Sequence, residues 1–412
     1  MRGKMRGRGI CFSVAFVFLA GLMFVLFSPA QAAEPKTILI GDSNPLTGGG
    51  AYWGIGSKNA LDLAMDKCNK AGGVTIKGQQ YLFKIIHEDD KYKGSEAVKA
   101  INKLIFTDKV QFIVGPLGTA AVKAVQPITE AQKMVMIIDT YAGPDILRNM
   151  NYTFRAMVPP THFAPSFFKW VKDKHPQLKT LIHIAANDAT GWGATNGDND
   201  ACHALGMKVL GSEFFERGST DFTAMVTRIL SQNPDFLSMG GSPPGEAALL
   251  IKQAREMGYK GRIIHSGMLE PSQLGPIAGW ENIEGIIQTG IGPEGPGVPK
   301  AMKQYFIDYE AKYGNVNSFA PYIYDMFDIL VMGIKKANSL DSTKVRDAIE
   351  QMDEFDTIWG KARWGGKELY GNNHQLFRPT PVSIIKDKKL ICLEMVTPQE
   401  VPPPSQEWHN RK

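Results

Sequence analysis

The chain has 412 residues, 43% of them hydrophobic and 21% charged, which excludes an intrinsically disordered protein and leaves room for about two domains. Its formal net charge of +5 falls to about +1 once residues 1–32 are set aside, because Arg2, Lys4, Arg6 and Arg8 have no acidic counterpart there. That balance speaks against nucleic acid as a partner.

Those basic residues precede an apolar run from Ile10 to Phe27, and Ala30-Gln31-Ala32 supplies an A-x-A cleavage site. Residues 1–32 are therefore predicted to be a secretory signal peptide, with the mature protein starting at Ala33 in the periplasm. The apolar run has the length of an uncleaved anchor too, so retention stays open. Cys11 opens the run instead of ending it, against a lipoprotein-type anchor. Cys68, Cys202 and Cys392 remain, far apart and in no C-x-x-C arrangement. They read as small buried hydrophobes, and which of them would pair is not given by their spacing.

Along the mature chain, strand-like apolar runs occur at 37–42, 81–89, 110–115, 134–139, 180–186, 235–241, 262–267 and 285–290. Helical periodicity lies between them, near 54–71, 94–107, 119–132, 161–174, 192–205, 221–232 and 245–257, and afterwards at 299–313 and 319–337. This alternation predicts an α/β protein of βαβ units, with parallel sheets and sites at the carboxyl ends of strands. Two breaks interrupt it, at Met157-Val158-Pro159-Pro160 and at the turn-forming run from Gly292 to Gly297. Residues 380–396 read as two strands joined by a lysine-rich turn, and the Pro-rich tail from Pro398 to Lys412 as flexible.

The stretch VGPLGTAAVKAV, Val114 to Val125, joins a strand to a helix and places Thr119 at the junction. A hydroxyl there either caps the helix or holds an anion beside its first N–H groups, and both readings remain open from these residues alone.

The runs IGDSNPLTGGGAYWGIGSKNALDLAMDKCNKAGGV, HEDDKYKGSEAVKAINKLI, VQFIVGPLGTAA, TDFTAMVTRILSQNPDFLSMGG, ALLIKQAREMGYKG and PYIYDMFDILVMGIKKANSLDSTKVRDAIEQM occur in order. In these the chain resembles the leucine/isoleucine/valine-binding family of periplasmic binding proteins, the type I fold that serves ABC transporters. The resemblance implies two Rossmann-like parallel-sheet lobes joined by three hinge crossings, near 156–160, 288–293 and 356–362. Lobe one would hold 34–157 and 290–357, and lobe two 158–289 and 358–397. It further implies a monomer that closes on a small ligand and passes it to an ABC permease, with no cofactor.

Carried over position by position, the resemblance puts Thr119 on the ligand's carboxylate, Trp53 on an aromatic wall and Trp192 on the aromatic of the second lobe. Ala142 stands where amino-acid binders have threonine, leaving only its backbone N–H, and Gly267 stands where they have the acid that faces the ligand's ammonium. A buried ammonium without a partner is costly, so the expected ligand is an apolar or aromatic carboxylate, with Tyr141 and Met268 in the pocket. Glu270, three residues on, is the alternative acid for a branched-chain amino acid. A sensor acting through a membrane partner is a further alternative.

Enzyme readings find little support. Gly41-Asp42-Ser43-Asn44 is similar to the serine motif of GDS-type esterases, and Asp200 and His203 are three apart, but that spacing on a helix describes a surface contact better than a triad. No P-loop, HExxH or zinc spacing occurs. His87, His183 and His265 sit singly in strand runs and read as structural or pocket-lining, not as metal ligands. The run Glu88-Asp89-Asp90 reads as a strand-end turn, with calcium as the alternative.

Overall fold

The computed structural model describes residues 34–141 and 143–400, so the expected signal peptide, Ala142 and the tail from 401 onward lie outside the described residues. Six strands come first: β1 (Lys36–Asn44), β2 (Val74–Ile76), β3 (Gln79–Asp89), β4 (Phe112–Leu117), β5 (Met136–Asp139) and β6 (Thr153–Arg155). Then follow β7 (Thr180–Ala186), β8 (Lys208–Phe215), β9 (Phe236–Ser238), β10 (Arg262–His265) and β11 (Ile287–Gln288). The last are β12 (Phe355–Thr357), β13 (Gly360–Gly365), β14 (Gln375–Phe377), β15 (Thr380–Lys386) and β16 (Lys389–Val396).

These strands build two sheets, one ordered β12-β13-β14-β6-β5-β4-β1-β3-β2 and the other β16-β15-β11-β10-β9-β7-β8. The inner pairs are parallel in both: β1 with β3 and β4, β4 with β5, β5 with β6, then β7 with β8 and β9, β9 with β10, β10 with β11. Helices cover both faces of each, so the central strands are apolar on both sides. All six residues of β4 are buried, which is why such strands read as continuous apolar runs. Strand order reverses between β1 and β4 in the first sheet and between β7 and β9 in the second. Each reversal opens a crevice beyond the strands' carboxyl ends.

The chain leaves the first sheet between β6 and the helix Pro160–Lys174, whose Phe163, Phe167 and Phe168 pack with Phe236 and Ile264 on the second. It returns between β11 and the helix Lys300–Tyr313, which packs with the helix Pro321–Ala337 against the first sheet. The third crossing is Arg378-Pro379, between β14 and β15. The sequence placed it near 356–362 and assigned 358–397 to the second half; strand pairing instead puts 358–377 with the first sheet. The cause is an added hairpin. β13 pairs with β14, and Gln375 of β14 lies beside Arg155 of β6. Buried Arg155 donates to Gln375 Oε1 at 2.6 Å and Tyr370 Oη at 2.8 Å, while the Trp364 and Phe154 rings meet edge-on 5.2 Å apart.

Six strands, β2, β6, β8, β12, β13 and β14, had no counterpart among the apolar runs read from the sequence, β6 and β8 among them in the regular alternation. β6 has three residues, and β8 (KVLGSEFF) is a half-exposed edge strand paired only with β7. The tail, expected to be flexible from Pro398, is fixed at its start: Gln399 N–H donates to the His162 carbonyl, and Glu400 receives Arg363 and the Gly366 N–H. No bond links the three cysteines at 68, 202 and 392.

Candidate ligand-binding cleft

The loops at the carboxyl ends of the strands face each other across the gap between the sheets and enclose about 490 Å³, including the open mouth. From the first sheet, the β1 loop and following helix bring Trp53, β3 brings Tyr92, β4 brings Leu117 and Gly118, and β5 brings Asp139, Thr140 and Tyr141. The second sheet contributes Thr190 after β7, Gly241 and Ser242 after β9, and His265, Gly267 and Met268 at and after β10. Met157, on the first crossing, and Phe319 complete the lining. Most of this surface is apolar. The Trp53 ring lies 6.0 Å from Tyr92 and 6.4 Å from Phe319, one tilted aromatic wall suited to a flat or branched body.

Thr119 is buried just behind that wall. Gly118 holds the position before the helix Thr119–Ala131, with φ of 92°, and no side chain caps the helix, so the capping reading of Thr119 gives way to another arrangement. A side chain at 118 would meet the Tyr92 ring at 2.8 Å, so glycine is required by space as well as by φ. Thr119 Oγ1 lies 2.5 Å from Thr140 Oγ1 and accepts from Thr190 Oγ1 at 3.4 Å. Three hydroxyls thus form a chain from one sheet to the other, and the first N–H groups of the helix, which lack intrahelical acceptors, open beside it.

Gly267 has a spatial cause. A Cβ there would lie 2.6 Å from His265 Cε1 and 2.9 Å from His265 Nδ1. The imidazole therefore fills the place in which an acidic side chain would stand. Burial pushes His265 down to about 4, so it is neutral at physiological pH. Asp139, at the end of β5 in the other sheet, has the opposite shift: burial raises its carboxyl to about 7 against the pull of Arg378 and Arg155. Arg378 sits behind Tyr141 on the third crossing, in a smaller adjoining space of about 240 Å³. Its guanidinium lies 4.1 Å from the Trp359 ring and 4.9 Å from Tyr322. Burial works against its charge, which Asp325 and Asp139 support.

Among the residues expected from sequence, Trp53, Tyr141, Gly267 and Met268 line this cleft, and Thr119 adjoins it. Ala142 lies outside the described residues. Trp192 does not line the cleft: it is 49% exposed and donates to Asn187 Oδ1 at 3.1 Å. The turn before it is responsible, since Gly191 passes so close to the Ala186 carbonyl that a Cβ would sit 1.9 Å from it, and Thr190 takes the inward position. Glu270, the alternative acid, turns away as well. Its carboxylate receives Tyr52 Oη at 3.2 Å and Ser318 N–H at 3.1 Å.

Sequence reading passed over Asp139, Tyr92, Thr190, Ser242 and Phe319, and left His265 between two roles. A usable signal existed for Asp139 and His265. Each is a titratable residue ending an apolar strand, MIID and RIIH, where a doubly wound sheet puts its sites.

The other chemistry-bearing motifs are occupied elsewhere. Ser43 is fully buried and donates to Asp90, while His87 bonds Asp42 and Asp62, so no serine triad forms at GDSN. Asp89 accepts from Leu46, Thr47 and Lys91 N–H groups and closes a turn. His183 bonds the Gly240 carbonyl inside the second half. Among the described residues no acidic, histidine or cysteine group is arranged to hold a metal, and no helix is long and apolar enough to cross a membrane.

Residues 37–389 match the family model described as periplasmic binding protein. A leucine-, isoleucine-, valine-, threonine- and alanine-binding protein of Pseudomonas aeruginosa is 28% identical over 341 residues, 81% of this chain and 86% of its own length. Among solved structures, a leucine-binding protein of Thermotoga maritima superposes with a TM-score of 0.76 at 23% identity, covering 88% of this chain and all of its own. A solute-binding protein of an R. palustris ABC transporter, in complex with benzoate, reaches the same TM-score at 17% identity over 90% of this chain and 99% of its own.

Proposed function

The chain belongs to the periplasmic binding protein family, and from that premise we propose that it captures a small apolar or aromatic carboxylate between its two sheets and delivers it to an ABC importer. The observation that carries the choice of ligand is the His265 ring standing over Gly267. With a neutral imidazole where an acid would receive an ammonium, and Glu270 held by Tyr52 and Ser318, an α-amino acid finds no counter-charge from that side of the cleft. The aromatic wall of Trp53, Tyr92 and Phe319 suits the ligand's body. The helix start at Thr119 and the field of Arg378 suit its carboxylate. The benzoate complex of the R. palustris protein supports the same class, and the amino acids named for the Pseudomonas relative define the competing one.

The family consists of solute-binding proteins, and binding without turnover is the activity expected here. We take the site of action to be the periplasm, the segment 1–32 to be removed on export, and the working form to be a monomer. Intact mass of the exported protein should start at Ala33; a membrane-retained form carrying residues 1–32 would contradict export as a soluble protein. Calorimetry with benzoate and related acids, set against leucine, isoleucine and valine, tests the ligand class. Tighter binding of any of the three amino acids than of every acid would reject it.

A further inference from the structure

Two buried polar atoms lining the cleft have no protein partner: Asp139 Oδ2, at the end of β5, and His265 Nδ1, at the end of β10. Both residues are only 3% exposed, and they face the cleft from different sheets. The tautomer of His265 follows from its other nitrogen. Nε2 lies 3.2 Å from the Ser242 carbonyl oxygen, which can only accept, so Nε2 carries the hydrogen and Nδ1 presents a lone pair. The cleft therefore offers acceptors on two sides without donors to meet them, and buried acceptors left unmet are costly.

We infer that the ligand brings the missing donor as a hydroxyl, so that the substrate class is a hydroxylated aromatic acid whose ring hydroxyl is read by Asp139 and His265. This rests on the cleft being the site for an apolar or aromatic carboxylate, and it adds the polar half of the recognition. A hydroxyl suits these atoms better than an ammonium because Asp139 already lies in the field of two buried guanidiniums, Arg378 and Arg155. A further cation would be repelled by both. The hydroxyl adds no charge, donates to Nδ1 or to an ionised Oδ2, and accepts from Asp139 when that carboxyl is protonated.

The test uses the mature protein and calorimetry at pH 7 with benzoate, 3-hydroxybenzoate, 4-hydroxybenzoate, 3,4-dihydroxybenzoate, leucine and phenylalanine. The best hydroxylated acid should bind at least about tenfold more tightly than benzoate, because a site built to bond a hydroxyl rejects the analogue lacking it. Asp139→Ala and His265→Ala should each remove most of that preference, read within each variant as the ratio of hydroxylated-acid affinity to benzoate affinity. Melting curves with and without benzoate report whether each variant is folded, and the ligand series on the unaltered protein decides even where one is not. Hydroxylated acids binding no better than benzoate would overturn the inference and leave the proposed function standing. Leucine or phenylalanine binding most tightly, with that affinity lost in Asp139→Ala, would overturn both and make Asp139 the partner of an ammonium. Binding of none of the six would overturn the reading of the cleft and the inference with it.

Discussion

Thr119 acts through its neighbours. Its hydroxyl bonds Thr140 on its own sheet and receives Thr190 from the other, so it is placed to hold the strand end that faces a ligand and to register closure. Thr119→Ala should weaken ligand binding by about tenfold and lower stability by about 1 kcal/mol, whereas Thr119→Ser, which keeps the hydroxyl, should stay close to wild type. Calorimetry beside thermal melting separates the effects; unchanged affinity in Thr119→Ala would make the hydroxyl chain purely structural. Gly267 is constrained more tightly. Even one methyl group there meets the His265 ring at 2.6 Å, so Gly267→Ala should displace the imidazole, destabilise the protein by about 1–3 kcal/mol and cost more than about tenfold in affinity. Gly267→Glu should not create an amino-acid binder, since the ring occupies the space the carboxylate would need. Leucine binding by Gly267→Glu, measured calorimetrically, would show that the ring can step aside.

At the scale of elements, the first sheet is tied to the helix Ala51–Lys70 by a histidine. The parallel register sets His87 of β3 beside Asp42 of β1, with Nδ1 2.6 Å from Asp42 Oδ2, and Nε2 reaches Asp62 of the helix at 3.1 Å. Burial opposes the charge on His87, yet its bonds to Asp42 and Asp62 raise it to about 9. Asp42 moves the other way from a simple ion pair: burial raises its carboxyl despite His87. Asp62, less buried, is pulled down to about 2 by His87 and Lys58 in spite of burial. A folded-state value above the unfolded one means that charged His87 stabilises the fold fully below pH 6.5, and that this contribution fades as pH rises towards about 9. His87→Gln should accordingly lose most stability, on the order of 3 kcal/mol, at pH 6, with the gap to wild type closing by pH 9 to 10. Denaturant melts across that range give the answer; a gap that widened with pH would reverse the assignment. Asp62 has a depressed value, so its contribution holds above about pH 4 and is lost as pH falls through about 2.

For the whole molecule, the contacts that matter bridge the sheets. Glu270, which follows β10, receives Tyr52 and the Ser318 N–H from the first half. Tyr322 Oη donates to the Thr289 carbonyl at 2.6 Å, and the Arg217 guanidinium lies 4.9 Å from the Tyr92 ring. Together with Thr190 on Thr119 these bridge the cleft, and the three chain crossings are where hinge opening is expected. Tyr52→Phe should shift the free protein towards an open form, seen as a larger radius of gyration in solution scattering and a several-fold weaker affinity. Saturating ligand should restore compactness in that variant. In wild type it should stabilise the fold by about 2.7 kcal/mol at a hundredfold excess over Kd. Scattering curves that are identical with and without a bound acid would contradict closure.

The sequence by itself determined the βαβ alternation, because strand runs such as MVMIID and helices such as 119–132 are set by local periodicity and burial on both sheet faces. It also shows that position 267 carries no acid, while Trp53, Tyr141 and Met268 were placed in a pocket only through the family resemblance. The tertiary structure alone decided the rest. Whether Trp192 or Thr190 turns inward depends on how Gly191 passes the Ala186 carbonyl, and whether 358–377 joins the first sheet depends on Gln375 meeting Arg155 across 220 residues. Glu270 is drawn to Ser318 for the same reason, and Asp139 and His265 line one cleft only because two sheets built from distant segments face each other. The Gly191 turn is local but is set by backbone geometry that residue types do not spell out, and the other outcomes are settled by pairings between distant segments, which leave no local pattern: periodicity sets the element a residue sits in, but packing sets its partner.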